Sequence, residues 1–318
     1  MIKFDPLRKK TYTLYWNNFS KKPKKFQSTH LFFKKIKKII RQLFPYYLKI
    51  RVEKNKVKPY ERFTSFQTDT KILSYRNSLL SETVIKFLKK SKIKFLKASI
   101  PKFVNEYCKV FSNTPILDLN SGFGFNEGLY LFCIIKVVKP TLVIESGIMK
   151  GFTTYLIDAA SDENCTINCY DISFENIEYK SKKAMYFQND INKTPPNFKN
   201  QKVLAFWDDH TSQLDRLEFS IKNNIKYNIF DDDLGFLNFH SDGWPPIPSI
   251  TMLYEIQNKI LKQEKIKWIS RGRQGELWIN SFSDNNAIKN IFTHTKFTNL
   301  FPYTGYKNHS ECSFVKLK

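Results

Sequence analysis

Cysteine is scarce in this chain and shows no pairing pattern. There are five, Cys108, Cys133, Cys165, Cys169 and Cys312, an odd number with no Cys-x-x-Cys spacing. That excludes a disulfide framework or a zinc cluster as the basis of the fold and fits a reducing compartment. Long apolar runs are missing as well. The longest, 129–135, falls far below the roughly 20 residues needed to cross a bilayer. No signal peptide with a cleavage site is read at the start. The expectation is a soluble, cytoplasmic protein with at most a peripheral attachment to a membrane surface. Three catalytic signatures are also absent: a Gly-x-Ser-x-Gly elbow, a Gly-Lys-Thr phosphate loop and a His-Glu-x-x-His metal motif. Acidic residues are few, 29 against 52 lysines and arginines, which leaves a formal net charge of +23.

That charge is uneven. Residues 1–60 hold 18 lysines and arginines against only Asp5 and Glu53, a net +16, so the other residues carry +7. Within this arm Phe32, Phe33, Ile36, Ile39, Ile40, Leu43 and Phe44 recur near helical spacing with basic residues between them, up to Pro45. The pattern predicts a basic amphipathic helix. Three readings stay open for it: an anionic membrane surface, plain packing on the body, or the phosphates of a nucleic acid.

The whole chain, with apolar content of 42% and aromatic content of 16%, is long enough for one large domain or one domain with an appendage. Residues 61–135 read as a helical extension or lid, with helices over 81–97, 100–111 and 126–138. Asp118 to Gly124 looks like a strand entering a glycine loop, but the unit count works better if the sheet begins later. From 136 to 318 strands and helices alternate. Strands are expected at 141–145, 166–171, 184–187, 202–207 and 226–230, with helices at 152–160, 211–223 and 250–263. Then come segments at 267–270 and 276–282, a helix at 284–292 and a closing strand at 312–317. Acids stand at several strand ends. This alternation implies a doubly wound α/β sheet with its site at the carboxyl edge.

One stretch organises that half: Glu145-x-Gly147-x-x-x-Gly151-x-Thr153-Thr154. A strand delivers a carboxylate into a glycine turn that opens a helix. Glycine lets the backbone approach a ligand, and the helix start offers N–H groups to an anion. Two acid clusters follow later strands, Asp208-Asp209-His210 and Asp231-Asp232-Asp233.

The glycine motif, with Asp171 at the end of the second strand 26 residues after Glu145, resembles the class I S-adenosylmethionine-dependent methyltransferases. The nearest subgroup is that of the metal-dependent O-methyltransferases of the catechol and caffeoyl-CoA type, together with the macrolide-sugar and rhamnosyl enzymes. The resemblance covers residues 126–318. It implies a Rossmann-like methyltransferase sheet with an N-terminal helical extension, and a transferase that uses S-adenosyl-L-methionine. On that reading Glu145 meets the cofactor's ammonium. Ser146, Gly147, Gly151 and Thr153 line its carboxylate, Asp171 the ribose hydroxyls and Asp190 the adenine amine. Helix capping remains an alternative for Asp171, and a simple turn for Asp190.

Carboxylates converging on one edge repel unless a cation joins them, and Mg²⁺ or another hard divalent ion is the natural partner. The resemblance implies metal ligands among Asp208, Asp209, Asp232 and Asp233, with His210 as general base and Asp208 beside it in catalysis. Caps and turns are the alternative. The subgroup commonly has an Asp-Asn pair after the fifth strand, where this chain has three aspartates. The loop 233–249, aromatic and polar, suits an acceptor such as a sugar or glycan precursor. Two other readings stand beside this one: an RNA or protein methyltransferase that uses the basic arm, and a non-catalytic nucleotide-fold binding module.

Overall fold

The structure is a computed structural model that describes residues 70–116, 123–238, 246–258, 264–270, 273–279, 282, 286–308 and 310–318. The basic arm 1–60, the Asp118 loop and the middle of the 233–249 loop lie outside the described residues.

Three helices come first: α1 (Thr70–Lys90), α2 (Ile100–Ser112) and α3 (Phe125–Val138). Almost every residue of α3 is buried, because α1, α2 and the later helix over Phe152–Ala160 pack around it. The expected start of the first helix at 81 is corrected to Thr70. Then the chain alternates: β1 (Leu142–Ser146), α4 (Phe152–Ala160), β2 (Thr166–Tyr170), β3 (Ala184–Phe187), β4 (Val203–Trp207), α5 (Gln213–Lys222), β5 (Tyr227–Phe230) and α6 (Ile250–Gln257). A two-stranded antiparallel hairpin follows, β6 (Lys265–Ser270) with β7 (Arg273–Trp278). Last come β8 (Ile291–Lys296), the short α7 (Phe301–Thr304) and β9 (Ser313–Leu317).

The main sheet runs in the order β3-β2-β1-β4-β5-β9-β8. Its first five strands are parallel, and β9 is antiparallel to both of its neighbours. The chain therefore has a doubly wound, Rossmann-like sheet, and β1 is its central first strand rather than the Asp118 segment. The order reverses direction between β1 and β4, the place where such sheets bind ligands.

Both faces are covered, so the central strands are apolar throughout instead of alternating. Val143, Ile167, Leu204 and Phe206 face the layer of α1 to α4. Leu142, Ile144, Ala205 and Trp207 face the other core, with Leu214 and Leu217 of α5 and Ile250 and Leu253 of α6. The same two-residue period puts Glu145 on the α4 side, together with Val143. Aromatic pairs fill the first core: Phe87 lies 4.8 Å from Tyr130 and 5.3 Å from Phe297, and Phe125 stacks on Tyr306 at 4.8 Å.

One expected element is replaced. A helix was predicted over 284–292. The segment instead makes a single 3-10 turn, Ala287–Asn290, and then strand β8. Ile-Phe-Thr-His-Thr-Lys is rich in β-branched residues, and the open edge of β9 accepts it as a strand.

Candidate functional site

The strands end level. Ser146 pairs in register with Tyr170 and with Trp207, and Trp207 pairs with Phe230. The next residues, Gly147, Asp171, Asp208 and Asp231, therefore stand in one row along the carboxyl edge. The ladder also runs one rung further. Asp171, Asp208 and Asp231 each donate a backbone N–H to the neighbouring strand, at 3.2, 2.7 and 2.9 Å, to Phe187, Ser146 and Trp207 carbonyls. Three acids are thus held on rigid backbone at the topological switch.

The glycine turn is tightly packed. Gly147 has φ +91°, and a Cβ there would run into the Asp208 carbonyl. Gly151 has φ +85° and caps α4, and a Cβ on it would meet the Tyr179 carbonyl. Both positions therefore need glycine. Asp171 clasps the turn from β2. Its Oδ2 accepts the N–H groups of Ile148 at 2.8 Å and Met149 at 3.3 Å, and its Oδ1 accepts that of Ser173 at 3.0 Å.

Glu145 lies beneath the turn and is fully buried. Its carboxylate accepts hydrogen bonds from the Thr153 hydroxyl, from the Thr154 hydroxyl at 2.6 Å and from the Cys169 thiol at 3.3 Å. Burial pushes its pKa up to about 7, against the lowering effect of those donors. The structure therefore turns Glu145 and Thr153 toward each other, inside the fold, rather than toward an ammonium or carboxylate in the cleft.

Asp190 meets a residue that the sequence did not single out, Arg216 on α5, and Ser146 joins it through Asp209. This guanidinium is almost wholly buried. It holds Asp209 Oδ2 at 2.8 Å through Nε and 2.7 Å through Nη2, pairs with Asp190, and sits 5.5 Å over the Trp207 ring. Ser146 Oγ adds a hydrogen bond to Asp209 Oδ2 at 2.5 Å. Burial is the strongest single influence on Asp190 and would raise its pKa, but the hydrogen bonds from Arg216 and Asn192 and the Arg216 charge together outweigh it and hold the group below the usual carboxylate range.

The acid clusters divide. Asp208, His210 and Asp232 bring one ligand atom each within 4.8 Å of one another. His210 Nδ1 lies 3.9 Å from Asp232 Oδ2. Asp231 bridges two sides: its Oδ1 accepts from Ser310 Oγ and from the Cys312 thiol at 2.7 Å, and its carboxyl also shares a hydrogen bond with Asp208. Burial pushes the Asp208 carboxyl up, and the charges of Asp231 and Asp232 push it further. Such a donor set, two carboxylates and an imidazole with like charges close by, fits a divalent cation.

Two of the four expected metal ligands lie elsewhere, which corrects the sequence reading. Asp209 belongs to Arg216. Asp233, fully buried, accepts from His294 Nε2 at 2.7 Å and from the Thr251 N–H at 2.6 Å, with Lys296 Nζ at 3.4 Å. Burial acts to raise its pKa, but His294 and Lys296 outweigh that and hold it far below the usual range.

No protein-family model matches the chain, and no curated protein matches it. Solved structures do. One is the O-methyltransferase TomG from Streptomyces achromogenes, in complex with SAM. It is 9% identical over 76% of this chain and 98% of its own, with a TM-score of 0.39. An O-methyltransferase from Bacillus cereus in complex with SAH is 10% identical, over 74% and 99%, at a TM-score of 0.37. CmcI with SAH is 10% identical at a TM-score of 0.30; the match takes in 34% of this chain and spans only 61% of CmcI. At these scores the strand order of the chain itself, not the superposition, assigns the fold.

Arg216, His294, Ser310 and Cys312 had no sequence signal, since they reach the site from α5, β8 and the segment before β9. Gln213 is another such residue. Buried at the start of α5, it donates to the Asp231 carbonyl at 2.6 Å and accepts the Ile250 N–H at 3.0 Å, joining the loops after β4 and β5 to α6.

Proposed function

We propose that the chain is an S-adenosylmethionine-dependent O-methyltransferase, assisted by a divalent cation, acting on a hydroxyl of a sugar, glycan precursor or other small molecule. One observation carries the reading. The Gly147–Gly151 turn, clasped by Asp171, opens at the switch point directly beside the Asp208–His210–Asp232 group. A nucleoside cofactor on the first and an acceptor oxygen at the second would be neighbours.

In this reading the turn's backbone and the start of α4 bind the cofactor's carboxylate. Asp171 offers its remaining lone pairs to the ribose hydroxyls. Asp190, held by Arg216, borders the adenine side. Glu145 supports the turn from below through Thr153 and Thr154. Asp208 and Asp232 would hold the cation, which supplies Lewis acidity toward the acceptor hydroxyl. In-line transfer then depends mainly on positioning.

The test is calorimetry with S-adenosylmethionine. The wild type should bind, and Asp171→Ala should weaken binding by about 1.5–3 kcal/mol, the scale of a hydrogen bond to a charged group. No binding by the folded wild type would leave a non-catalytic module with capped acids. The +16 charge of residues 1–60 favours a second acceptor class, RNA. Methyl transfer to RNA that is lost without the arm would select it.

A further inference from the structure

We propose that the amino edge of the main sheet, opposite the candidate site, is a docking surface for single-stranded RNA. The surface lies outside the cofactor and acceptor positions and goes beyond the methyltransferase reading.

The two edges of the sheet differ in charge. The carboxyl edge carries Asp171, Asp208 and Asp231 in one row. At the other end of the strands, segments 91–99, 139–141, 199–202, 222–226, 287–290 and 316–317 hold ten lysines and no aspartate or glutamate. The pattern stops at β2, which the exposed Asp162 and Glu163 precede. Lys139 and Lys222 close helices α3 and α5, where a cation beside the last carbonyls is ordinary capping. Lys202, Lys226 and Lys316 stand at strand ends and have no helix end to serve.

Their backbone is fixed. The Lys202 carbonyl accepts the Thr141 N–H at 2.9 Å, and the Lys226 carbonyl accepts the Leu317 N–H at 2.9 Å. The loop after α1 is drawn onto the same edge. Lys316 Nζ donates to the Lys92 carbonyl at 2.6 Å, and Thr293 Oγ1 donates to the Ser91 carbonyl at 3.2 Å. Burial lowers the Lys316 pKa, and the charges of Lys226 and Lys94 lower it further. Among the described residues no acid pairs with Lys94, Lys202, Lys226 or Lys316. Like charges gathered on rigid backbone repel, and a polyanion relieves the repulsion.

Two features select the kind of polyanion. Neighbouring strands lie about 4.8 Å apart and rotate roughly 20–25° on one another. The cations at the ends of β4, β5 and β9 therefore follow a twisting line. A flexible phosphate chain can track that line, whereas a flat bilayer meets only part of it. Aromatic rings also stand between the lysines. Lys202 Nζ lies 5.9 Å from the centre of the Tyr227 ring and Lys316 Nζ 5.2 Å from that of Phe292. Phe292 is 53% exposed. Cations for phosphates beside an open ring for a base suit single-strand binding. Because β1 is five residues long, this surface stands on the order of 15 Å from the Gly147 turn, and RNA held here is not at the acceptor position.

The experiment follows fluorescence anisotropy of a labelled oligouridine of about 15 nucleotides with the full chain. The wild type should bind, with an affinity that falls as salt rises. Lys202→Glu with Lys226→Glu should weaken binding by at least about tenfold more than Lys109→Glu with Lys307→Glu, which removes the same charge from exposed positions on α2 and ahead of β9. The first pair should also lower the slope of log affinity against log salt by about 1.4, since each phosphate contact on a single strand accounts for about 0.7. Phe292→Ala should weaken binding about fivefold or more and leave the slope unchanged. Equal losses in the two lysine pairs reduce the effect to net charge and overturn the surface, as does a wild type that does not bind the oligouridine. A Phe292→Ala variant that binds like wild type overturns the choice of RNA. So does a first pair that loses phosphatidylserine vesicles but keeps the oligouridine. Melting curves check that each variant folds, and if the glutamate pair does not, Lys202→Gln with Lys226→Gln replaces it with a loss expected in the same direction.

Discussion

At the scale of the residue, Glu145 makes the sharpest statement. Its ordinary pKa of 4.5 is raised to about 7 in the fold. Between those values the native state keeps a proton that the unfolded state has lost. The stability due to this group is therefore fully present below about 4.5 and is lost as pH rises to about 7. Glu145→Gln removes the titration and keeps one oxygen for Thr153 and Thr154. Relative to wild type, the variant should gain stability as pH is raised through that window, by about 3 kcal/mol at most. Denaturant unfolding at several pH values checks this, and parallel curves for the two proteins would refute the buried carboxyl. The strand end at Glu145 and the turn at Gly147 were legible in the sequence because strand, turn and helix start lie in one contiguous stretch, whereas the inward partners of Glu145 were not. The fates of Asp209 and Asp233 were not legible. Their partners Ser146 and His294 stand 63 and 61 residues away, and nothing in the run of aspartates says which of them will meet a cation from another element.

At the scale of the element, α5 is the clamp on the carboxyl edge. Through Arg216 it ties the loop after β4 to Asp190 beyond β3. Removing one partner of a buried ion group leaves the other charges uncompensated. Arg216→Met should therefore cost about 3–5 kcal/mol of unfolding free energy. Adding Asp190→Asn should recover part of that loss, which urea unfolding of both variants would show. The parallel strands and their helices were readable because runs of buried apolar residues alternate with amphipathic ones. The 284–292 segment was not. Asp284, Asn285 and Asn286 suit a helix cap ahead of Ala287, Ile288 and Lys289, so the segment looks helical locally, and only the edge of β9 makes β8 a strand.

At the scale of the whole molecule, charge and shape part company. No described helix is long and apolar enough to cross a membrane. The basic arm that suggests a membrane or polyanion partner precedes the described fold. Deleting residues 1–60 should leave S-adenosylmethionine binding intact and abolish sedimentation with anionic vesicles at low salt, since each basic residue near such a surface contributes about 1 kcal/mol. If full-length protein ignores vesicles yet binds RNA, the lipid reading fails. The inserted strand β9 has a further consequence, for the order of assembly during synthesis. It lies between β5 and β8, and the residues just before it supply the Ser310 and Cys312 donors to Asp231. A ribosome that has made everything up to β8 still holds a chain whose β5 edge is bare, and such edges invite pairing with other chains. The nascent protein thus passes through a stage in which strands β1 to β5 can pair while the Asp231 side of the sheet waits for residues 310–317 to emerge.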